Sequence, residues 1–129
     1  MVKNAVIILA TIVFLTGCTS NSGIRVKALQ NLSKLSLGMN KNQIYEIMGH
    51  GTVPMYGDAD IPHPYRTEVM KQDDGTTAEV LFYYTDKKKA DGVITNDELT
   101  PLVLQNNQLV GWGWLYMEQN IQEYRIYLR

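Results

Sequence analysis

Cys18 is the only cysteine in the chain and the one strong nucleophile whose surroundings are distinctive. It follows the small residues Thr16 and Gly17 at the end of an apolar run from Ala5 to Phe14. With no second thiol, a disulfide-stapled domain is excluded. Other nucleophilic chemistry is poorly supplied: the two histidines, His50 and His63, accompany no Gly-x-Ser-x-Gly elbow. The carboxylate pairs Asp73–Asp74 and Asp97–Glu98 sit in polar turns, where solvation keeps both members ionised and leaves neither as a general acid. Glu79, inside a strand pattern, is the one carboxylate near an apolar setting, and its alternation is expected to place it outward.

Two stretches imitate metal sites. Asp58, Asp60 and His63 offer two carboxylates and an imidazole on one loop, too few for a divalent ion without a further ligand. In the run from Asp86 to Leu99, Gly92 at position six of a calcium loop puts Asp91 at five and Glu98 at twelve. Positions one and three then fall on Lys87 and Lys89, where ammonium groups replace the required carboxylates. The expectation is a charged loop that holds no metal, with Lys87 to Lys89 solvated.

The elements behind Cys18 give it its meaning. Met1-Val2-Lys3-Asn4, the apolar run and the small residues at its end form a secretory signal, too short for a spanning helix of about 20 residues. Leu15-Thr16-Gly17-Cys18 resembles the lipobox of bacterial lipoproteins. That resemblance implies cleavage before Cys18 and a diacylglycerol thioether and further acyl chains (palmitate) on it, each buried CH₂ adding about 0.8 kcal/mol of membrane affinity. The covalent lipid is the only cofactor expected. Thr19 stands where Asp would signal inner-membrane retention in such lipoproteins, so the expected location is the outer membrane, periplasmic face.

Removal of the first 17 of 129 residues leaves 112, one domain with one modest core. Lys3 leaves with the signal, and 11 basic residues then face 13 acidic ones, a balance that gives nucleic acid no electrostatic footprint. Thr19 to Gly23 is a polar tether. Ile24, Ala28, Leu32 and Leu35 recur at helical spacing and predict a helix over about 24–36. Asn40 and Gln43 form a capping box, Met39 can staple against Ile44, and Gly49 supplies the stop of a second helix over about 41–48. Residues 50–64, with Gly51, Pro54, Gly57, Pro62 and Pro64, predict an irregular loop. Period-two alternation then predicts a hairpin turning at Asp73-Asp74-Gly75, its second strand apolar on both sides and therefore central. A third strand covers Leu99 to Leu104, and Asn106-Asn107 turns the chain into a fourth, from Gln108 to Met117. That strand is expected to carry Leu109, Gly111, Gly113 and Leu115 on one face, its glycines open to close approach by another segment, and Val110, Trp112, Trp114 and Tyr116 on the other. For Glu118 to Arg129 the expectation is a short helical turn followed by an extended end.

Leu37-Gly38-Met39-Asn40-Lys41-Asn42-Gln43-Ile44, then Met48-Gly49 and Pro54, resembles the G-M-T-K-x-Q-V…L-G-x-P motif of the SmpA/OmlA (BamE/OsmE-like) family of small outer-membrane lipoproteins. The likeness covers about residues 24–54, with His50 to Val53 lengthening the stretch before Pro54. It implies an α+β fold, two N-terminal helices packed on a three- to four-stranded antiparallel sheet (BamE/BLIP-like). The organisation expected is a lipoprotein signal peptide (1–17), a lipidated tether (18–23) and an SmpA/OmlA-like α+β domain (24–129). Its expected work is a non-enzymatic interaction or scaffold role in the envelope or in β-barrel assembly. An inhibitor or envelope-stress protein that binds a soluble periplasmic enzyme, and a cell-wall glycan binder or hydrolase, are the alternatives. The contact residues expected are Trp112, Trp114 and Tyr116, with Tyr56 and His63 in the preceding loop; an aromatic face of this kind suits an envelope protein partner or a homodimer.

Overall fold

A computed structural model of the protein describes residues 22–55, 58–89 and 91–121, and of residues 22, 53–55 and 58–60 the backbone alone. In chain order the elements are α1 (Ser22–Leu32), α2 (Lys41–Met48), β1 (Gly51–Met55), β2 (Asp58–His63), β3 (Arg66–Lys71), β4 (Thr77–Tyr84), β5 (Leu99–Gln105), β6 (Gln108–Trp112) and α3 (Trp114–Asn120), with one 3₁₀ turn at Asn96–Glu98. The fold is α+β. Its main sheet is an antiparallel meander in the order β3-β4-β5-β6, and β1 and β2 form a separate two-stranded ribbon.

The capping box predicted for α2 is present. Asn40 Oδ1 accepts from the Gln43 amide at 3.0 Å, and Gln43 Oε1 accepts from the Asn40 amide at 2.9 Å. Gly49, at φ +99°, ends the helix and donates its N–H to the Tyr45 carbonyl. Ile44 and Met48 are buried against the sheet. The segment before the helix docks too. Gly38 N–H donates to the Leu109 carbonyl and Leu109 N–H to the Met39 carbonyl, both at 2.8 Å, so residues 38–40 cover the outer edge of β6. α1 is shorter than its apolar spacing predicts. After Leu32 the chain tightens into 3₁₀ turns, with Ser33 Oγ donating to the Gln30 carbonyl, yet Leu35 still reaches the core.

The expectation of a central strand apolar on both sides holds for β4. Leu81 and Tyr83 face α1 and α2 together with Leu102, Leu104 and Leu109. Val80, Phe82 and Tyr84 face the other way, with Leu99, Val103, Met117 and Ile121. A side chain of this size contributes about 1.5–3 kcal/mol when fully buried, so each face requires a cover. The second cover is α3, a segment whose sequence pattern predicts strand.

Three backbone features turn β6 into α3. The β5–β6 register slips between Val103↔Gly111 and Leu104↔Leu109, making Val110 the extra residue of a bulge. The bulge breaks alternation and puts Leu109 and Trp112 on the same side, toward α1 and α2, where strict period two predicts opposite sides. Gly113 then adopts φ +92°, which a residue with a Cβ resists, and the chain reverses across the far face. Pro101 lies opposite. Its carbonyl accepts the Gly113 N–H, so its side of the strand faces β6, and proline has no N–H to return. The Gly113 carbonyl therefore accepts from Met117 and begins the helix.

Gly111 receives that helix, as the sequence predicts for a glycine on a sheet face. A Cβ added there would lie 2.7 Å from Tyr116 Cγ and closer still to two other ring atoms. Residues 50–64 depart from the loop expected of them: they form β1 and β2. A two-stranded ribbon has two open edges, so alternate N–H groups point at no partner and prolines fit. Pro54 sits at a register shift and Pro62 opposite Thr52. Of the helical turn expected at the start of the tail, Glu118 to Asn120 are the end of α3, which begins four residues earlier within the stretch expected as strand, and the extended end falls on 122–129, outside the described residues.

Gly111→Ala should lower the urea-unfolding free energy by about 1–3 kcal/mol, the usual cost of overpacking. In a Tyr116→Ala background the same change should cost much less. Additive effects of the two substitutions would show that the ring does not rest on Gly111.

Candidate functional site

The three aromatics expected to share one strand face do not share it. Trp112 packs with the cluster beneath α1 and α2. Trp114, the first residue of α3, donates its indole N–H to the Leu99 carbonyl at 2.8 Å, and its ring centroid lies 5.8 Å from that of Phe82. Tyr116 lies over Gly111, and burial, followed by the nearby Asp74 charge, pushes its phenol pKa up. All three are half-buried, and each is held by its own neighbours. Leu115 between them is the residue α3 turns to solvent, 67% exposed. The reason is local: Gly113 and the bulge at Val110 replace a straight strand by a strand, a reversal and a helix.

His63 does lie at a junction. It is the last residue of β2, where the ribbon meets the domain, with Nδ1 3.2 Å from the Ile61 carbonyl. Its ring meets the edge of Tyr83, centroids 6.0 Å apart, and lies where a Cβ added at Gly49 would touch it, at 3.7 Å. Tyr83 is sealed beneath; its hydroxyl donates to the Gly49 carbonyl at 2.9 Å, and burial raises its pKa so that it stays a donor. Thus the end of α2, the root of the ribbon and the sheet core are joined at one point.

Sequence reasoning missed the residues around that junction. His50 stacks on Tyr45, centroids 4.2 Å apart and planes 18° from parallel. Lys41, one turn before Tyr45 on α2, lies 5.8 Å from the same ring and forms an ion pair with Glu79. The hydrogen bond to Glu79 raises the Lys41 pKa, against the opposing effect of desolvation. Glu79 is therefore turned toward the α2 side of the sheet and half-buried, where its position in the strand pattern predicts an outward side chain. The i, i+4 spacing of Lys41 and Tyr45 was the available signal. His50, just past a helix-ending glycine, gave none. The corner formed by Lys41, Tyr45, His50 and His63 offers aromatic faces and polar edges, suited to gripping a protein surface. Tyr56 and Cys18 lie outside the described residues.

The calcium-like stretch is organised by its own carboxylate. Glu98 is 2% exposed; Oε1 accepts from the amides of Lys88 at 2.8 Å and Lys89 at 3.2 Å, and Oε2 from that of Thr95 at 3.1 Å. Its carbonyl takes the Thr85 and Asp86 amides as well. Asp91 Oδ1 accepts from the Val93 amide over Gly92, and Lys88 lies 3.6 Å from Asp97. The Thr95 hydroxyl, with Lys88, holds the Asp97 carboxyl below its ordinary pKa. The acid at position twelve thus faces backbone donors. Among the described residues no group of three or more His, Cys, Asp or Glu is placed to hold a metal ion.

Residues 22–119 match the model of a family described as "Protein of unknown function (DUF3192)". The chain belongs to that family. No curated protein and no solved structure matches it. The matched region runs from the first residue of α1 almost to the end of α3, so the bulge, the glycine reversal and the second cover lie within the DUF3192 domain.

Glu98→Gln should lower stability by about 1–3 kcal/mol, because an amide NH₂ would face a backbone N–H in a buried site. An unchanged urea midpoint would show that these amides are satisfied without the carboxylate.

Proposed function

We propose that this DUF3192 protein is a lipid-anchored, non-enzymatic interaction module at the periplasmic face of the outer membrane. It grips an envelope protein through the β1–β2 ribbon and the Lys41–Tyr45–His50–His63 corner at the ribbon's root. The lipobox residues Leu15 to Cys18 and the likeness of residues 37–54 to the SmpA/OmlA motif support the anchor and the location. The geometry adds a constraint. α1 begins at Ser22, and four residues reach at most about 14 Å at roughly 3.4 Å each, so an acylated Cys18 keeps the domain against the bilayer. Confinement to a surface raises effective concentration and lets a modest contact suffice.

The observation that carries the contact half of the reading is the ribbon. Among the described residues its strands hydrogen-bond to each other and to no strand of the main sheet, and it is tied to the domain at His63, Gly49 and Tyr83 and through Ile61. The tryptophans, first expected to dock a partner, serve the covers of the sheet in this reading.

In cells, labelled palmitate should appear on the wild-type chain and be absent from Cys18→Ala. A photoreactive residue at Thr52, on the ribbon, should crosslink to an envelope protein, while one at Leu115, on α3, should not. A titratable Cys18 thiol on a freely soluble chain would overturn the anchor. Equal crosslinking from both positions would overturn the ribbon as the contact.

A further inference from the structure

The loop between β4 and β5 sits at the end of the sheet where α1 begins. Arg25 Nε lies 4.0 Å from Asp86 Oδ2, joining the first turn of α1 to the start of the loop. Ile24, in the same turn, packs against the cluster that holds Tyr84 and Leu99, the residues on which β4 ends and β5 begins. Ile94 packs against that cluster from within the loop. The opposite end of the sheet carries the turn at Asp73, Asp74 and Gly75, and β4, eight residues at about 3.3 Å each, separates the two by about 26 Å.

What the loop presents is decided by which of its charges are already used. Glu98 is buried, and its carboxylate fills the amides of Lys88, Lys89 and Thr95, leaving those N–H groups no room for a second anion. Asp86 faces Arg25, and Asp97 lies 3.6 Å from the Lys88 ammonium, an exposed pair of the kind that water and salt weaken readily. Lys88 and Lys89 keep exposed side chains. Beyond them Asp91 Oδ1 accepts from the Val93 amide over Gly92, at φ +73°, and this turn leaves Val93 59% exposed while Ile94 returns to the core. A small apolar tip beside lysines suits the boundary of a bilayer, where acyl chains take the valine and phosphates the ammonium groups. A single soluble anion would use only half of it.

We propose that this loop is the surface on which the domain meets the bilayer: Lys88 and Lys89 reach the phosphates of anionic phospholipids, and Val93 enters the headgroup layer. The inference rests on the lipid anchor proposed above. Four residues between Cys18 and Ser22 hold the start of α1 within about 14 Å of the acylated end, and the Arg25–Asp86 pair brings the loop with it. The acidic turn at Asp73 and Asp74 then stands away from the bilayer, the orientation that charge favours.

The test uses the mature, acylated chain in vesicles whose acyl chains carry bromine as a quencher. One set holds phosphatidylethanolamine with phosphatidylglycerol, the other phosphatidylcholine alone. With Cys18 acylated, Val93→Cys supplies the one thiol to which a fluorophore can be attached, and Asp74→Cys is the control at the far turn. The label at Val93 should be quenched in the phosphatidylglycerol vesicles and little in phosphatidylcholine, and the label at Asp74 in neither. Lys88→Gln with Lys89→Gln should lower the ratio of docked to undocked domain about tenfold or more, as should salt at about 1 M. These substitutions keep the amides that Glu98 holds. On a chain that mass spectrometry shows to be acylated, three results would overturn the inference and leave the anchor standing: equal quenching at both positions, quenching at Val93 that does not depend on phosphatidylglycerol, or quenching that survives both glutamines. An unmodified Cys18 on a chain that leaves the vesicles would overturn both.

Discussion

Leu81 and Phe82 are neighbours in the chain, and both are sealed from water on opposite faces of one strand. A strand buried on both sides cannot exist in a single-layer domain, and most of the molecule is shaped by that constraint. One cover is made before the sheet, by α1 and α2. The other comes from the length of chain directly after β6, as α3. Gly113 and Val110 let that length reverse, and Pro101 leaves a carbonyl free at the place where the helix starts. Gly111 supplies the flat patch on which Tyr116 rests. Small residues and one bulge thus convert an all-strand pattern into a three-layered domain.

The same constraint separates the residues that are fixed from those available for contact. The aromatic residues near the chain's end are held by the covers, each with a specific partner, so they offer no continuous patch. The ribbon is different: among the described residues its strands pair with each other and with no strand of the main sheet, and it is tied to the domain at His63, Gly49 and Tyr83 and by Ile61, which packs against the cluster on the α3 side. Domain and ribbon meet where a buried phenol holds the end of α2, which fixes the ribbon's root. The 86–98 loop is likewise internally satisfied, because Glu98 occupies the amides that an outside anion would otherwise seek.

Much of the fold is legible in sequence because its signals are local. The box of Asn40 and Gln43, the stop at Gly49 and the two-asparagine turn, with φ +50° and +60°, each depend on residues within one turn of chain. The two-sided apolar pattern of β4 reveals its central position. The features that escape a sequence reading depend on distant partners. A glycine in a strand pattern signals close approach but not a change of direction, so α3 reads as strand until Pro101 is placed opposite Gly113. Prolines in residues 50–64 suggest a loop because the sequence does not say that a ribbon with two free edges will receive them. The candidate site shares this fate. His63 is legible as a residue fixed between turn signals, whereas Tyr45 and His50 come together only through the geometry at the end of α2.

A doubly covered sheet carrying a ribbon that, among the described residues, pairs only with itself is the central claim. Native-state amide hydrogen exchange tests it most directly. The account predicts the slowest exchange at the β4 and β5 amides around Leu81 and Leu102, and exchange in β1 and β2 faster by orders of magnitude, through openings that leave the sheet intact. Ribbon amides exchanging as slowly as those of β4, in one cooperative unit with it, would contradict the account.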